Sequence, residues 1–122
     1  MNVDNAKSQM RKGMLEYCIM LLLKDSPCYS SDIIKKLKEA NLLVVEGTLY
    51  PLLSRLKNDG VLTYEWQEST QGPPRKYYVL SDDGRQMLSA MEDAWNEIEN
   101  AVNKALFSYR TKDISDKNLQ TV

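Results

Sequence analysis

Apolar side chains recur every three or four residues between Glu46 and Gly60, which is the pattern of an amphipathic helix. The apolar positions are Leu49, Leu52, Leu53 and Leu56. We predict that this face packs against the core of the protein. The opposite face carries small polar groups and cations. Pro51 lacks an N–H and is tolerated in a first helical turn, so we predict that the helix begins near residues 46–48. Gly60 predicts its end, because glycine adopts the left-handed conformation.

Two further helices are predicted before this one. Between Met10 and Lys24, apolar side chains lie on almost every side, which indicates a helix buried on several faces. Pro27 ends it, because the residue before a proline disfavours helix. Either Ser30 or Ser31 can cap the next helix, and residue 41, an asparagine, is its predicted stop. Two helices joined by a tight connection form a helix-turn-helix arrangement.

After the third helix the apolar period changes from 3.6 to 2, which predicts strands at Leu62 to Gln67 and Arg75 to Leu80. The loop between them cannot be helical, so the two strands form a hairpin with a stiff, basic tip. Such a tip can present charge to a phosphate backbone, although it can also be an ordinary solvated hairpin end. The tip residues are Gly72, Pro73, Pro74, Arg75 and Lys76.

A last, long helix is predicted after Ser81, which can cap it. Its apolar residues step by three and four, which is a heptad seam that favours a partner helix. The alternative is packing on the helix of residues 10–24 in the same chain. Residues 86–103 carry only acidic charges, which would hold this segment away from DNA. The seam consists of Leu88, Met91, Trp95, Ile98, Val102 and Ala105.

The pattern therefore predicts a mainly α fold with a small β-hairpin, namely a winged helix-turn-helix followed by a long C-terminal dimerisation helix. Four segments are expected along the chain. Residues 1–9 form a loose polar arm, 10–80 the DNA-binding domain, 81–107 the dimerisation helix, and 108–122 a polar tail that frays.

Composition adds little evidence for a nucleic-acid partner. The chain has 122 residues and a net charge of −1, and the charges are nearly balanced both in residues 1–84 and in residues 85–122, so any DNA footprint must be local. Cys18 and Cys28 lack metal-ligand spacing and are interpreted as reduced thiols. The longest apolar run, Tyr17 to Leu23, is too short to cross a bilayer, and no signal peptide precedes it. We expect a cytoplasmic protein.

The sequence argues against an enzyme. It contains no histidine, which is the commonest general base and metal ligand. It also lacks a Gly-rich phosphate loop, a C-x-x-C pair and a nucleophile elbow, so no cofactor or metal is expected. The other rival is a protein-interaction adaptor that keeps the winged fold without binding DNA. The exposed cations of the third helix and hairpin are opposed there only by Glu46, which favours DNA. The DNA-contact candidates on the third helix are Thr48, Tyr50, Pro51, Ser54, Arg55 and Lys57.

Three blocks of the sequence occur in a specific order, namely EGTLYPLLSRL from Glu46, GPPRKYY from Gly72 and LSDDG from Leu80. Through these blocks the chain resembles the PadR-like transcriptional regulators over about residues 10–106. The resemblance implies a homodimeric winged-helix protein of the short subclass, usually a repressor. It also implies recognition helices in successive major grooves of a pseudo-palindromic operator, with the wings on flanking DNA.

The resemblance also bears on two local features. Many relatives carry a Gly-Tyr pair at the start of the second helix, where this chain has Ser30-Ser31. Tyr29 is adjacent, and either serine hydroxyl can reach a phosphate. In relatives that bind small aromatic molecules, a tryptophan of the last helix lines a pore between subunits. Trp95 resembles that residue, with Met91 as an adaptable neighbour, although an aromatic at helical spacing can equally be a packing residue.

Overall fold

The computed structural model describes residues 2–42 and 44–120, without the side chains of residues 109 and 111–120. The chain divides into two compact units, Met1–Leu88 and Ser89–Val122. The described residues form helices and one antiparallel sheet, as the sequence predicts. The elements are α1 (Val3–Leu22), β1 (Cys28–Tyr29), α2 (Ser30–Glu39), α3 (Glu46–Asn58), β2 (Leu62–Gln67), β3 (Arg75–Leu80) and α4 (Asp82–Gln120).

The first helix begins seven residues earlier than the sequence pattern predicts. Asn2 is its N-cap, and the side-chain oxygen of Asn2 accepts hydrogen bonds from the N–H groups of Asp4 and Asn5 at 2.8 and 3.3 Å. Asp4 adds a favourable negative charge to the first turn. The prediction of a loose arm over residues 1–9 is therefore wrong for the described residues 3–9. A good cap extends a helix through a polar stretch that has no apolar pattern.

The second helix begins at the serines that were predicted to cap it. Tyr29 occupies the N-cap position, and its N–H donates to Asp32 Oδ2 at 3.1 Å. Ser30 and Ser31 lie inside the first turn, so the predicted serine cap is wrong. Asn41 is confirmed as the stop, since its φ is 62°. The N–H of Asn41 donates to Lys38 O at 2.9 Å and that of Leu42 donates to Leu37 O at 2.8 Å, which together form a Schellman motif.

The third helix has the predicted start and end. It begins at Glu46, and Gly60 follows it with a φ of 81°. The N–H of Gly60 donates to Lys57 O at 3.0 Å and that of Val61 donates to Leu56 O at 3.1 Å, which is a second Schellman motif. Pro51 is the sixth residue of the helix, so its predicted place in the first turn is wrong. Because Pro51 has no N–H, the carbonyl four residues earlier lacks its helical hydrogen bond. That carbonyl lies in the exposed part of the helix.

The sheet has the strand order β1-β3-β2. The predicted hairpin is present, with Leu62 opposite Leu80 and Gln67 opposite Arg75. The sequence pattern does not predict β1, in which Cys28 pairs with Tyr78 and Tyr29 pairs with Tyr77. A two-residue strand is too short to show a period of two. This short strand attaches the start of α2 to the hairpin of β2 and β3, which is the wing.

The core lies between the first three helices and the sheet. The buried residues of α1 include Ile19, Met20 and Leu15, whereas Leu21 is 36% exposed, so α1 is buried on only part of its surface. Each fully buried side chain of this size stabilises the fold by about 1.5–3 kcal/mol. The other buried apolar residues are Tyr17, Leu23, Cys28, Ile33, Leu37, Leu49, Leu53, Leu56, Val61, Leu62, Tyr78, Leu80 and Leu88. Leu52 is only half-buried, although it belongs to the predicted leucine face.

The last helix is capped as predicted. Ser81 Oγ accepts a hydrogen bond from the N–H of Gly84 at 2.9 Å and donates one to Gly60 O at 2.6 Å. The N–H of Ser81 donates to Val61 O at 3.1 Å. The helix then continues to Gln120, so the predicted boundary at residue 107 is not a helix end.

Both cysteines are free thiols, and burial raises the pKa of the Cys18 thiol, which keeps it protonated. Within residues 2–42 and 44–120, no helix is long and apolar enough to cross a membrane.

The contact at Gly84 leads to a stability prediction. A Cβ at this position would collide with the Val61 carbonyl, whose oxygen already accepts the Ser81 N–H. We expect Gly84→Ala to lower the free energy of unfolding by about 1–3 kcal/mol. The measurement is the urea midpoint followed by circular dichroism.

The matched control for this variant is Gly13→Ala. Gly13 lies in α1, and no atom lies within 4 Å of the place where its Cβ would stand. This substitution should stabilise the helix by about 0.5–1 kcal/mol, because alanine loses less conformational entropy than glycine on folding. An unchanged urea midpoint for Gly84→Ala would contradict the close packing of the start of α4 against the backbone of residue 61.

Candidate nucleic-acid interface

The exposed side of α3 has a centre of small side chains. Four exposed residues that step by four, three and four positions share this line, which we term the small-residue strip: Gly47, Pro51, Ser54 and Asn58. They lie opposite the buried Leu49, Leu53 and Leu56. Because its side chains are short, the strip lets the helix backbone approach a ligand closely. Ser54 and Asn58 supply hydrogen-bond donors and acceptors there.

One flank of the strip is joined to α2 and carries Tyr50 and Lys57. The hydroxyl groups of Tyr50 and Ser30 share a hydrogen bond of 3.2 Å. Ser30 is 6% exposed, so its hydroxyl is engaged within the protein, whereas Ser31 is exposed. Of the two serines predicted to reach a phosphate, the structure therefore places only Ser31 at the surface. The bond between Tyr50 and Ser30 links the start of α2 to α3 within the helix-turn-helix.

Lys57, at the end of the same flank, is joined to the wing through one aromatic ring. Its Nζ lies 4.4 Å from the centroid of the Tyr64 ring, and Lys76 Nζ lies 4.2 Å from the same centroid. Such a cation–π contact contributes about 0.5–1 kcal/mol at an exposed site. The two ammonium groups repel each other, so together they form a concentrated positive site. An anion would be attracted to this site.

The two adjacent cations of the wing point to different faces of the sheet. Arg75 and Lys76 alternate along β3, and they are opposite Gln67 and Trp66. The Arg75 guanidinium lies 5.2 Å from the Tyr29 ring centroid, beside the start of α2. The wing thus supplies one cation to the α3 side and one to the α2 side. The sequence predicts these two cations in a strand but not the contact of Arg75 with Tyr29, which follows from the pairing of β1 with β3.

The other flank of the strip faces α1. Arg55 Nη2 forms an ion pair with Glu16 Oε1, and the side chains are 58% and 26% exposed. Thr48 and Arg55 also line an open groove of about 750 Å³ between α1 and the start of α3. Neither the apolar periodicity nor a motif of the sequence predicts a role for Glu16. A signal was available, because Glu16 is the only charged residue between Lys12 and Lys24 of the sequence.

Two aromatic residues of β2 were also missed. The ring of Tyr64 contacts both lysines. Trp66 is 65% exposed, and its ring packs edge-to-face on the Tyr64 ring with the two centroids 6.0 Å apart. The alternating pattern of β2 identified them only as strand residues. Their special role depends on what lies across the hairpin, which periodicity does not reveal.

The predicted seam of α4 is divided between burial and exposure. Leu88 is 3% exposed and belongs to the core of the first unit, so in this chain it is not an accessible interface residue. Met91 is half-buried. Beyond it, Trp95, Ile98 and Val102 are 36%, 49% and 51% exposed. These three partly exposed side chains follow one another at spacings of three and four residues, which places them in one apolar line on α4.

The bond between Tyr50 and Ser30 leads to a second stability prediction. Tyr50→Phe removes one hydroxyl and leaves the buried Ser30 hydroxyl without that partner, so the free energy of unfolding should fall by about 0.5–1.5 kcal/mol. Urea unfolding measures the change. Ser31→Ala is the control and should stay within about 0.5 kcal/mol of the original protein, since this side chain is exposed. If Tyr50→Phe lowered the free energy of unfolding no more than the control does, the bond between Tyr50 and Ser30 would not contribute to the packing of α2 on α3.

Comparison with known proteins identifies the family. The model of the "Transcriptional regulator PadR-like family" matches residues 19–90. A PadR-like transcription factor from Bacteroides fragilis is similar, with 69% identity, a TM-score of 0.69, and coverage of 81% of this chain and 96% of that chain. A PadR family regulator from Eggerthella lenta has 32% identity and a TM-score of 0.75, with 85% and 91% covered. A PadR-like regulator from Bacillus cereus has 34% identity and a TM-score of 0.74, with 81% and 97% covered.

These matches agree with the winged helix described above and confirm the predicted family. Members of this family are transcriptional regulators and not enzymes, as the residue types indicated. The family model covers the helix-turn-helix, the wing and the start of α4. The chain belongs to the PadR-like family of DNA-binding transcriptional regulators.

Proposed function

We propose that this regulator is a homodimeric repressor that binds a pseudo-palindromic operator and is released by a small molecule or another signal. The observation that carries the proposal is the small-residue strip of α3 with a cation on each flank, Arg55 on one side and Lys57 on the other. A major groove presents base edges at its floor and phosphates along both walls. The strip matches the floor, and Lys57 matches a phosphate wall. Arg55 lies at the edge of the strip, where it would reach a base edge in an operator.

Within this proposal, the residues of α3 divide into two roles. Ser54 and Pro51, with Thr48 at the edge of the strip, would approach the bases, because they are exposed and project away from the buried leucines. Lys57 would contact a phosphate from the flank next to the wing, and Tyr50 would position the helix through Ser30.

A second phosphate contact is supported by the joint between the wing and α2. Arg75 lies over the Tyr29 ring, and Ser31 is exposed in the first turn of α2. The first turn of a helix carries N–H groups without helical partners, which attract anions. The exposed tip residues of the loop, residues 72–74, would lie along the flanking DNA.

Dimer formation is supported by the apolar line on α4. Trp95, Ile98 and Val102 are partly exposed in the single chain and recur at heptad spacing. A symmetric pair of helices would cover them, and the two-fold symmetry of such a dimer matches two half-sites. Residues 10–80 would then bind DNA and residues 81–107 would associate. Trp95 with Met91 would lie at the subunit boundary, where a small aromatic effector could alter the spacing of the two winged units.

The wing leads to a test on DNA. On an operator identified by protection mapping, a dimer with three to five phosphate contacts per subunit should show log K falling against log salt with a slope of roughly −5 to −9. Arg75→Ala/Lys76→Ala should weaken binding and make the slope shallower by about 2–4, since four cations leave the dimer. Fluorescence anisotropy across a salt series measures both.

The control for the wing variant removes two cations from the helix that the proposal keeps away from DNA. Lys104→Ala/Arg110→Ala changes the net charge equally at exposed positions of α4. It should leave affinity and slope nearly unchanged once sedimentation shows that it is dimeric. Equal slopes for the wing variant, the control and the original protein would exclude a role for the wing.

The seam leads to a test of association. Ile98→Asp places a carboxylate in the middle of the apolar line, and an unpaired charge buried there costs several kcal/mol. We expect a monomer whose winged unit stays folded and whose operator affinity collapses. Sedimentation, circular dichroism and a DNA shift assay are run on one sample. Asn100→Asp is the control, because it adds the same charge off the seam. A dimeric Ile98→Asp variant, or a monomer that binds the full operator tightly, would contradict the proposed mechanism.

A further inference from the structure

The cation on the α1 flank of the small-residue strip is held by the protein itself. Arg55 pairs with Glu16, which belongs to α1 and not to the helix-turn-helix or the wing. Glu16 is 26% exposed and Arg55 is 58% exposed. The guanidinium is therefore the partner that is more accessible to an approaching phosphate or base.

The surroundings of this pair are positive. The charged residues that line the adjoining groove are Arg11, Lys12 and Arg55. Lys12 lies four residues before Glu16 on the same helix, at a spacing that brings side chains together. The Glu16 carboxylate therefore compensates a local excess of positive charge. Without it, Arg55 would be repelled by its neighbours towards solvent.

We propose that Glu16 determines specificity by competing with DNA for the Arg55 guanidinium. The proposal rests on the DNA-binding function proposed above. A random duplex offers Arg55 a phosphate in a loosely held geometry, which is little better than the Glu16 carboxylate. An operator that seats the strip in the major groove offers acceptors in register, such as a guanine O6/N7 pair. Glu16 therefore weakens non-specific binding more than operator binding.

The ion pair contributes little to folding, which makes the competition measurable. Exposed pairs of this kind have small effects on stability because solvent screens them. Glu16→Gln keeps the size and a hydrogen-bonding capacity while it removes the charge. It should fold like the original protein by circular dichroism, with a similar urea midpoint. Glu16→Asp, whose shorter side chain holds the guanidinium less well, is a second variant with an intermediate expected effect.

The test compares the operator with a random duplex of the same length. Glu16→Gln should tighten binding to the random duplex by about threefold to tenfold, which corresponds to the release of one weak surface ion pair in each subunit of a dimer, and change operator binding by less than about twofold. Its salt slope on the random duplex should become steeper by about 2, because one further phosphate contact is made by each subunit. A purely structural role of Glu16 would not alter the ratio between the two duplexes.

Two comparisons show whether the effect passes through Arg55. Glu39→Gln removes the same charge at the exposed end of α2 and measures the general effect of net charge. In an Arg55→Gln background, Glu16→Gln should have only that general effect. Operator duplexes with substituted guanines distinguish a base contact of Arg55 from a phosphate contact, since only a base contact loses affinity at a single position.

The outcomes separate the inference from the function beneath it. If the original protein binds the operator, and Glu16→Gln equals Glu39→Gln on both duplexes, the competition is refuted while DNA binding stands. The same conclusion follows if the full effect of Glu16→Gln persists without Arg55. If the original protein binds neither duplex at low salt, DNA binding fails and the competition is refuted with it.

Discussion

The burial of one leucine face is the constraint on which the exposed surface of α3 depends. Leu49, Leu53 and Leu56 are at most 4% exposed, and their burial fixes the rotation of α3 about its own axis. Because side chains of a helix keep fixed angular relations, this rotation also sets which residues face outward. The small-residue strip and its two cationic flanks are consequences of that packing. A rotation by one residue would expose a leucine in place of the strip.

Schellman motifs at the ends of α2 and α3 preserve this arrangement. Asn41 and Gly60 have left-handed conformations, and each stops its helix at a defined residue. The stop at Gly60 also sets the position of Ser81, which donates to the Gly60 carbonyl and caps α4. The helix-turn-helix, the hairpin and the last helix are therefore connected at a few backbone atoms. Gly84 permits this connection because it has no side chain.

The sequence was sufficient for the parts of the fold that depend on periodicity and local chemistry. The leucine spacing of α3, the alternation of β2 and β3, and the stops at Asn41 and Gly60 all have strong local signals. It was insufficient where the cause is a contact between distant residues. The pairing of Glu16 with Arg55 and the pairing of β1 with β3 both depend on packing, so no sequence window contains them. The start of α1 was missed for a different reason, because its cap lies in a polar stretch.

The shared ring of Tyr64 has a consequence for how this architecture can change. Lys57 belongs to α3 and Lys76 to β3, yet both cations lie on the same aromatic ring. If α3 alone were replaced, the cation at position 57 would lose its matched support unless residues 64 and 76 were exchanged with it. The helix and the hairpin are therefore one structural unit at this ring, and a substitution in one of them constrains which residues the other can carry.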